Sequence, residues 1–301
     1  QNNGKCVFTF DGSSAIYDGK GNRTGIDAPF TETSLTCDVP LNGAAMGAPC
    51  RPTEDNVADI YRAIDYGTRR FLNVCGIEKV VVGISGGIDS SVVAAIYGKI
   101  LPAGNLMLLN MPSRHNSTLT RDLASQLAKN LDCLYCEAPI EESCRLSMNQ
   151  LNGLVAANSR GTLKHTMKIT DCVMENVQAR DRSSRILAAV AAEFGGVFTC
   201  NANKSEATVG YTTLYGDLAG YLANIADLWK TEVYELARYI NNHVYGLEII
   251  PEDSIRITPS AELSASQDVE KKQGDPLLYS YHDCLFRSWV EWWNRVTPEE
   301  I

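Results

Sequence analysis

The sequence lacks the features of a membrane protein or of an extracellular disulfide framework. No apolar run in its 301 residues approaches the roughly 18 residues of a membrane-spanning helix. Residues 1–10 lack the basic and apolar regions of a signal peptide. The ten cysteines are too dilute for a disulfide scaffold, and the only C-x-x-C, Cys133 to Cys136, lacks the second pair or the His of a zinc site. We therefore expect a cytoplasmic protein with no membrane partner.

Basic residues are also scarce, and they are scattered along the chain. The sequence has 27 Lys and Arg against 36 Asp and Glu, which gives a formal net charge of -9. A protein that holds nucleic acid usually presents clustered Lys and Arg to the phosphates. No nucleic-acid partner is expected, although a few local bases can still hold a small anionic substrate.

The stretch from residue 80 to residue 91, VVVGISGGIDSS, has the pattern of a buried strand, a glycine turn and a helix start. The first amides of a helix have no partner within it, and the helix dipole adds about half a positive charge there, so the pattern predicts an anion site. Asp89 is a candidate ligand for a divalent metal. The residues predicted to surround the anion are Ser85, Gly86, Gly87, Ser90 and Ser91.

This loop matches neither the G-x-x-x-x-G-K-[ST] of a P-loop nor the G-x-G-x-x-G of a dinucleotide fold. An ordinary strand-to-helix turn, in which Asp89 and Ser90 only cap the helix, is the alternative interpretation. At these residues the sequence resembles the SGGxDS loop of the N-type ATP pyrophosphatases. Enzymes with that loop split ATP into AMP and pyrophosphate while they activate a carbonyl oxygen.

Strand and helix patterns alternate along the rest of the chain. After an amphipathic helix to about residue 74, strands are predicted at 105–111, 132–138 and 196–201, with helices at 118–130 and from about 170 to 194. The segment 140–170 is predicted to be partly helical with a mobile loop. The alternation predicts a Rossmann-like, doubly wound α/β fold, with a parallel sheet of about five strands and helices on both faces.

Several polar clusters follow predicted strands or line the long helix, and in such folds ligands bind beyond the carboxyl ends of the strands. Arg180 and Arg182 flank a mostly apolar helix, although a solvated helix face is an alternative. Glu206 could face Asp89 across a metal, or its loop could only cap a helix. Lys230 begins a helix, where a cation is unfavourable unless an anion is present. The other candidates are Asn201, Asp217 and Ser260.

Taken in order, eight segments resemble NAD synthetase, a member of the N-type ATP pyrophosphatases. They are ISGGIDSS, MPSRHNS, ENVQARDR, CNANKSE, GYTTLYGD, DLWKTEV, PSAEL and YHD. The resemblance implies ATP-dependent amidation of nicotinate adenine dinucleotide (deamido-NAD) to NAD through an adenylated carboxylate, with release of AMP and pyrophosphate. It further implies magnesium, a nitrogen source that is ammonia or glutamine, and a homo-oligomer of at least two chains.

The resemblance also implies roles for single residues. It implies that the ATP phosphates are held by Ser85, Gly87, Ser90, Ser91, Lys230 and Ser260, and that magnesium is ligated by Asp89 and Glu206. It places Arg180 and Asp217 beside the reacting nicotinate and ammonia. Asn201 occupies a position at which the family often has a Thr next to ATP. The segments 140–170 and 202–216 are expected to act as lids.

The chain is expected to contain two parts, residues 1–50 and 51–301, of which the second is the synthetase domain. Residues 1 to about 40 resemble the last strands of a nitrilase-type glutaminase domain, and a linker follows. Two alternatives to the synthetase remain. One is another N-type ATP pyrophosphatase, such as a GMP synthetase or a transfer-RNA thiolation enzyme with Cys133 and Cys136 as its redox pair. The other is a nucleotide-binding scaffold without turnover.

Overall fold

The computed structural model describes residues 9–34, 36, 38, 56–264, 267–293 and 296–301. The chain divides into two compact units, Gln1–Ile77 and Glu78–Ile301. The predicted boundary between residues 50 and 51, and the linker beside it, lie outside the described residues. In the part of the chain that the structure describes, every helix is too short or too polar to cross a membrane.

The first unit contains a short antiparallel hairpin and one long helix. Its elements are β1 (Ala15–Tyr17), β2 (Arg23–Ile26) and α1 (Asn56–Cys75). The buried carboxylate of Asp18 closes the turn of the hairpin, because it accepts hydrogen bonds from the amides of Lys20 and Asn22, each at 2.8 Å. Helix α1 buries Val57 and Leu72, and it confirms the predicted amphipathic helix.

Strands and helices alternate in the second unit. The strands are β3 (Val80–Gly83), β4 (Leu106–Asn110), β5 (Leu134–Glu137), β6 (Val155–Ala157), β7 (Lys164–Thr166) and β8 (Val197–Phe198). The helices are α2 (Ile88–Ile100), α3 (Thr118–Leu131), α4 (Glu141–Leu151), α5 (Asp171–Arg180), α6 (Ala188–Phe194), α7 (Lys204–Val209), α8 (Lys230–Tyr239), α9 (Glu252–Arg256) and α10 (Tyr279–Val290). Short 3₁₀ turns lie at Ala103–Asn105 and Pro298–Glu300, and π-helical turns at Asp181–Leu187 and Ile240–Tyr245.

The main sheet is parallel and has the strand order β5-β4-β3-β8. This arrangement confirms the Rossmann-like α/β fold, although the described sheet has four strands where about five were expected. Beside β8, the amide of Tyr221 donates to the carbonyl of Phe198 and that of Cys200 to Leu222, and a single parallel bridge joins Cys200 to Ala223. The pairing is too short to form a fifth regular strand.

The central strand β3 is buried on both faces, because its side chains alternate between two layers of helices. Val80, Val81 and Val82 are fully buried. Val81 packs in one cluster with Leu109 of β4 and Leu187 of the π turn. Each such side chain stabilises the fold by roughly 1.5 to 3 kcal/mol relative to an exposed position. The apolar run that predicted a buried strand therefore fixes the centre of the sheet.

The predicted long helix is confirmed, and it contains a feature that the apolar spacing did not reveal. Helix α5, the π turn Asp181–Leu187 and α6 run continuously to Gly195, which ends the helix at φ 75°. A π turn changes the direction in which the side chains within it point, and such turns are frequent at functional sites. The segment 140–170 forms helix α4 and the antiparallel hairpin of β6 and β7, and this hairpin was not predicted.

Gly86 holds the turn between β3 and α2 against helix α3. Its φ is +89°, a left-handed conformation that side chains other than glycine rarely adopt. A Cβ atom built on Gly86 would lie 2.0 Å from the carbonyl oxygen of Thr120. Both the conformation and the close backbone approach therefore require glycine at this position.

We predict that Gly86→Ala lowers the free energy of unfolding by about 2 to 4 kcal/mol, because it adds backbone strain and a clash with rigid backbone. Gly104→Ala is the matched control, since a Cβ there meets no atom within 4 Å. Chemical denaturation followed by circular dichroism measures both variants. An equal effect of the two substitutions would contradict the prediction.

Candidate active site

A cavity of about 560 Å³ lies at the carboxyl edge of the main sheet. Residues that follow β3, β4 and β8 line it, together with residues of α5, the π turn and the loop 257–263. The chain leaves β3 toward β4 on one side and returns to β8 on the other. Loops diverge at such a switch in strand order, which is where open α/β sheets bind their ligands.

The loop between β3 and α2 is held by its own hydroxyl groups. The Oγ of Ser85 accepts from the amide of Gly87 at 3.2 Å and lies 3.2 Å from the Oγ of Ser90. Ser91 is buried and donates to the carbonyl of Gly87 at 2.8 Å. No side chain of the described residues caps α2 at Gly87, so the first amides of this helix can bind an anion.

Of the predicted phosphate-binding residues, some line the cavity and others lie behind it. Those that line it are Ser85, Gly87, Ser90, Asn201, Lys230 and Ser260. Gly86 and Ser91 are buried behind the loop and hold its shape.

Three charged side chains from three helices meet at the floor of the cavity. The Nζ of Lys230 on α8 lies 2.5 Å from the Oδ2 of Asp89 on α2 and 3.1 Å from the Oε1 of Glu206 on α7. Lys230 is 3% exposed, and its ammonium also lies 5.0 Å from the ring centre of Tyr279. Two carboxylates therefore lie at the start of α8. They are the anions that offset the unfavourable position of the Lys230 ammonium group at the start of a helix.

Burial and charge act in opposite directions on this cluster. Burial lowers the pKa of Lys230, but the carboxylates of Asp89 and Glu206 outweigh burial and hold that pKa above its usual value. Burial raises the pKa of Glu206, Lys230 opposes the rise, and the charge of Asp89 adds to it. Ionisation of Glu206 is therefore unfavourable while Asp89 is also ionised. A further cation in the cluster would offset this cost.

The two carboxylates fit a magnesium ion that takes its other ligands from elsewhere. Asp89 and Glu206 converge on the same ammonium group. Among the described residues, no group of three or more His, Cys, Asp or Glu gathers to hold a metal. Magnesium is commonly held by one or two carboxylates together with substrate phosphates and water, and this donor set meets that requirement.

Asn203 joins the two predicted metal ligands. It is fully buried, and its Nδ2 donates to the Oδ1 of Asp89 at 3.0 Å. Its Oδ1 accepts from the amide of Glu206 at 3.0 Å, which caps α7. Asn203 is not among the predicted site residues, although an Asn three residues before Glu206 is a typical helix cap. The cap sets the orientation of both carboxylates.

The two arginines of the long helix occupy different surroundings. Arg182 lines the cavity, where its Nε donates to the carbonyl of Met111 at 3.0 Å and its Nη2 lies 3.4 Å from the Oδ1 of Asn116. Burial lowers the pKa of Arg182 to about 10, so it stays charged at neutral pH. Arg180 is exposed and donates to the carbonyl of Leu214 at 3.2 Å, away from the cavity lining. The structure thus brings Arg182, and not Arg180, into the cavity.

Glu262 holds the loop after β4 and is not among the predicted site residues. Its carboxylate accepts from Thr120 at 2.8 Å, from the amide of Ser117 at 3.0 Å and from Asn116 at 3.2 Å. Glu262 has φ 47°, and strained conformations of this kind concentrate at ligand sites. Glu262 lies in the segment PSAEL, in which Ser260 is the predicted site residue. The hydroxyl of Ser260 donates to the carbonyl of Gln267 at 2.9 Å.

Two further predicted residues line the cavity and are fixed by the backbone. The Oδ1 of Asp217 accepts from the amide of Thr213 at 2.8 Å. Burial raises the pKa of Asp217, and the hydrogen bonds from Thr213 oppose that rise. Asn201 donates to the carbonyl of Gly83 at 2.8 Å and accepts from Thr199 at 2.9 Å. Asn201 therefore links the ends of β3 and β8.

A parallel sheet with a cavity at the switch between β3 and β8 defines a Rossmann-like α/β domain with its ligand site at the carboxyl edge. The sequence model of a family described as NAD synthase matches residues 60–300. A glutamine-dependent NAD(+) synthetase of Thermotoga maritima is 36% identical over 99% of this chain and 54% of its own length. The chain belongs to the NAD synthase family.

Solved structures agree with this assignment. A glutamine-dependent NAD+ synthetase from Acinetobacter baumannii, in complex with ADP, has a TM-score of 0.70 and 27% identity over 94% of this chain and 48% of that chain. An NH3-dependent NAD synthetase from Campylobacter jejuni, in complex with nitrate, has a TM-score of 0.53 and 27% identity over 66% of this chain and 79% of that chain. The chain spans about half the length of the glutamine-dependent relatives that it matches.

We predict that Lys230→Met lowers the free energy of unfolding by about 3 to 5 kcal/mol at neutral pH, because it leaves two half-buried carboxylates without their buried cation. Glu206 has a raised folded-state pKa, so its protonated form favours folding at acid pH and this contribution is lost as the pH rises. Removal of Lys230 raises that pKa further. The stability loss should therefore be larger at about pH 8 than at about pH 5.

Lys204→Met is the matched control for this measurement. Lys204 also contacts two carboxylates, Glu291 at 2.6 Å and Asp227 at 3.3 Å, but Asp227 is 99% exposed. Its loss should cost less than about 1 kcal/mol. Urea denaturation across the pH range measures both variants, and a pH-independent loss for Lys230→Met would exclude the proposed coupling.

Proposed function

We propose that this chain catalyses the ATP-dependent amidation of deamido-NAD to NAD, through an adenylated carboxylate, with release of AMP and pyrophosphate. The nitrogen comes from ammonia, free or released from glutamine. The observation that carries the proposal is the meeting of Lys230, Asp89 and Glu206 beside the uncapped start of α2. Such a site suits a triphosphate, because it combines helix amides, an ammonium group and two carboxylates for magnesium.

In the first half-reaction, the chain holds ATP so that its α-phosphate meets the nicotinate carboxylate. The first amides of α2 and the hydroxyls of Ser85 and Ser90 bind the phosphates. Lys230 neutralises charge that develops on the departing pyrophosphate. Magnesium, when it is bound by Asp89 and Glu206, would supply further charge stabilisation at the phosphates.

In the second half-reaction, ammonia attacks the acyl carbon of the adenylate and AMP leaves. Asp217 accepts a proton from the attacking nitrogen, and its raised pKa improves it as a base. Arg182 takes the position beside the nicotinate carboxylate that the resemblance implied for Arg180, because it is the arginine that lines the cavity. The segment 202–216, which contains α7 and the turns that follow it, excludes water, which would otherwise hydrolyse the adenylate.

The same proposal includes the setting in which the protein works. It acts in the cytoplasm on small molecules, without a nucleic-acid or membrane partner, as a homo-oligomer of at least two chains. Residues 1–50 belong to the end of a glutaminase-type domain and its linker. The support is the likeness to glutamine-dependent relatives that are about twice as long.

A transfer-RNA thiolation enzyme would need reactive thiols, and Cys133 and Cys136 do not provide them. Burial raises the pKa of the Cys133 thiol to about 11, and burial also raises the pKa of Cys136. Both shifts disfavour the thiolate, which is the reactive form of cysteine. The match to the NAD synthase family likewise favours the amidation of deamido-NAD over that of a purine nucleotide.

The direct test combines purified protein with ATP, magnesium, deamido-NAD and ammonia, and follows NAD and pyrophosphate together. Equal amounts of the two products are expected. Pyrophosphate without NAD would favour another N-type ATP pyrophosphatase. ATP binding without either product would favour a scaffold that has lost turnover.

We predict that Asp89→Asn and Glu206→Gln each lower turnover by about 100-fold or more, since each removes a carboxylate that would hold magnesium at the transferring phosphates. Both variants should also need more magnesium for half-maximal rate. Asp227→Asn changes an exposed carboxylate outside the cavity lining and should keep the parent rate. The magnesium site is wrongly assigned if either cavity variant keeps the parent magnesium dependence.

We also predict that Arg182→Lys lowers kcat/KM for deamido-NAD by about tenfold or more, because a lysine cannot reproduce the planar, multiply hydrogen-bonded guanidinium. Arg180→Lys should change kcat/KM by less than about twofold, as expected for an exposed position. Steady-state kinetics of the two variants decide between the arginines. The opposite ranking would return the role to Arg180.

A further inference from the structure

Helix α10 presents a regular polar face to α7 and α8. Three side chains of α10 and that of Glu291, which caps it, are spaced by four residues, and each contacts a charged or polar group of those two helices or of the residue before α8. Tyr279 contacts Glu206, and Asp283 contacts Ser205 and Thr231. Arg287 contacts Glu232, and Glu291 contacts Lys204 and Trp229. Residues four apart share one face of a helix, so this face is a continuous contact with the helices that carry Glu206 and Lys230.

Asp283 is the most deeply buried of the charged residues on this face, at 3% exposure. Its Oδ1 accepts from the Oγ of Ser205 at 2.5 Å, and its Oδ2 accepts from the amide of Thr231 at 2.9 Å. The Oγ of Ser205 in turn accepts from the amide of Lys230 at 2.8 Å. One carboxylate thereby satisfies, directly or through Ser205, two successive amides in the first turn of α8.

These contacts join the backbones that carry two of the three charged groups at the cavity floor. Ser205 directly precedes Glu206 on α7, and Lys230 directly precedes Thr231 on α8. A negative charge at this end of α8 also offsets the helix dipole, which opposes an ammonium group at the same place. The link therefore fixes the separation of the two helix starts and lowers the cost of Lys230 at its position.

We propose that Asp283 is a positioning residue that holds the ammonium of Lys230 between Asp89 and Glu206. The inference rests on the proposed function for its kinetic consequences, but not for its geometry. Asp283 does not line the cavity. It acts on Lys230 through Ser205 and the first turn of α8. Displacement of a catalytic group by about 1 Å can lower a rate by about 100-fold, so this distant carboxylate should govern turnover.

The experiment compares Asp283→Asn and Ser205→Ala with the parent protein. Asp283→Asn keeps the volume but removes one acceptor and the charge, and Ser205→Ala removes the hydroxyl link. Glu291→Gln is the matched control, since it changes another carboxylate on the same face that contacts Lys204 and the indole of Trp229. Thermal unfolding of each variant is recorded first, so that all rates refer to folded protein.

The kinetic readout separates positioning from general support of the fold. We expect kcat to fall by about 10- to 100-fold in Asp283→Asn and Ser205→Ala, while KM for deamido-NAD changes by less than about twofold. The double variant should be no slower than the slower single variant, because the two residues act in one chain of hydrogen bonds. Glu291→Gln should keep the parent kcat. An equal fall in Glu291→Gln, or an unchanged kcat in Asp283→Asn, would overturn the proposal.

A second readout does not depend on turnover. Acetic anhydride labelling with mass spectrometry reports how accessible Lys230 is in the protein without substrates. Lys230 should be protected in the parent and in Glu291→Gln, and labelled at least about fivefold faster in Asp283→Asn, because a released side chain is accessible to the reagent and loses its proton more readily to give the reactive amine. If the parent forms no NAD, the proposed function fails, and the labelling still decides: unchanged protection in Asp283→Asn overturns the positioning role.

Discussion

A single ammonium group between two carboxylates is the constraint on which the site depends. Lys230 approaches Asp89 and Glu206 within hydrogen-bonding distance while almost wholly buried. Burial of any one of these charges alone would be strongly unfavourable, so the three groups must be brought together and held together. The surrounding structure meets this requirement: Asn203 fixes Asp89 and caps the helix of Glu206, and Asp283 fixes the start of the helix of Lys230.

The parallel sheet brings these three groups together, because several helices begin at the same edge of it. Helix α2 begins after β3 and helix α7 begins after β8, so Asp89 and Glu206 arrive from two sides of the strand-order switch. Helix α8 then enters with its first residue between them. Each chemical group stands in the first turn of its helix, where the backbone is fixed by the strand before it or by a cap. The charged cluster therefore takes its geometry from helix starts that the sheet and the caps hold in place.

The sequence predicts those parts of the molecule that depend on local pattern. The strand and glycine turn before Asp89, the long helix to Phe194 and the misplaced charge of Lys230 are all readable from neighbouring residues. Contacts between distant residues are not, because no spacing rule connects them. Glu262 and Asn116 are 146 residues apart. The π turn has no periodic signature either, and it determines which of Arg180 and Arg182 lines the cavity. The spacing of the sequence therefore could not show which of the two arginines lines the cavity.

The charge balance of the cluster explains why it suits a ligand that arrives with a cation. With both carboxylates ionised, Asp89, Glu206 and Lys230 carry one negative charge in excess, and burial together with Asp89 raises the pKa of Glu206. In the free protein, ionisation of Glu206 is therefore unfavourable while Asp89 is also ionised. A polyphosphate alone would be repelled by that excess, whereas a polyphosphate with magnesium would neutralise it. On the proposed function, the second carboxylate thus makes triphosphate binding depend on the metal, and Lys230 offsets part of the repulsion between the two carboxylates in the free protein.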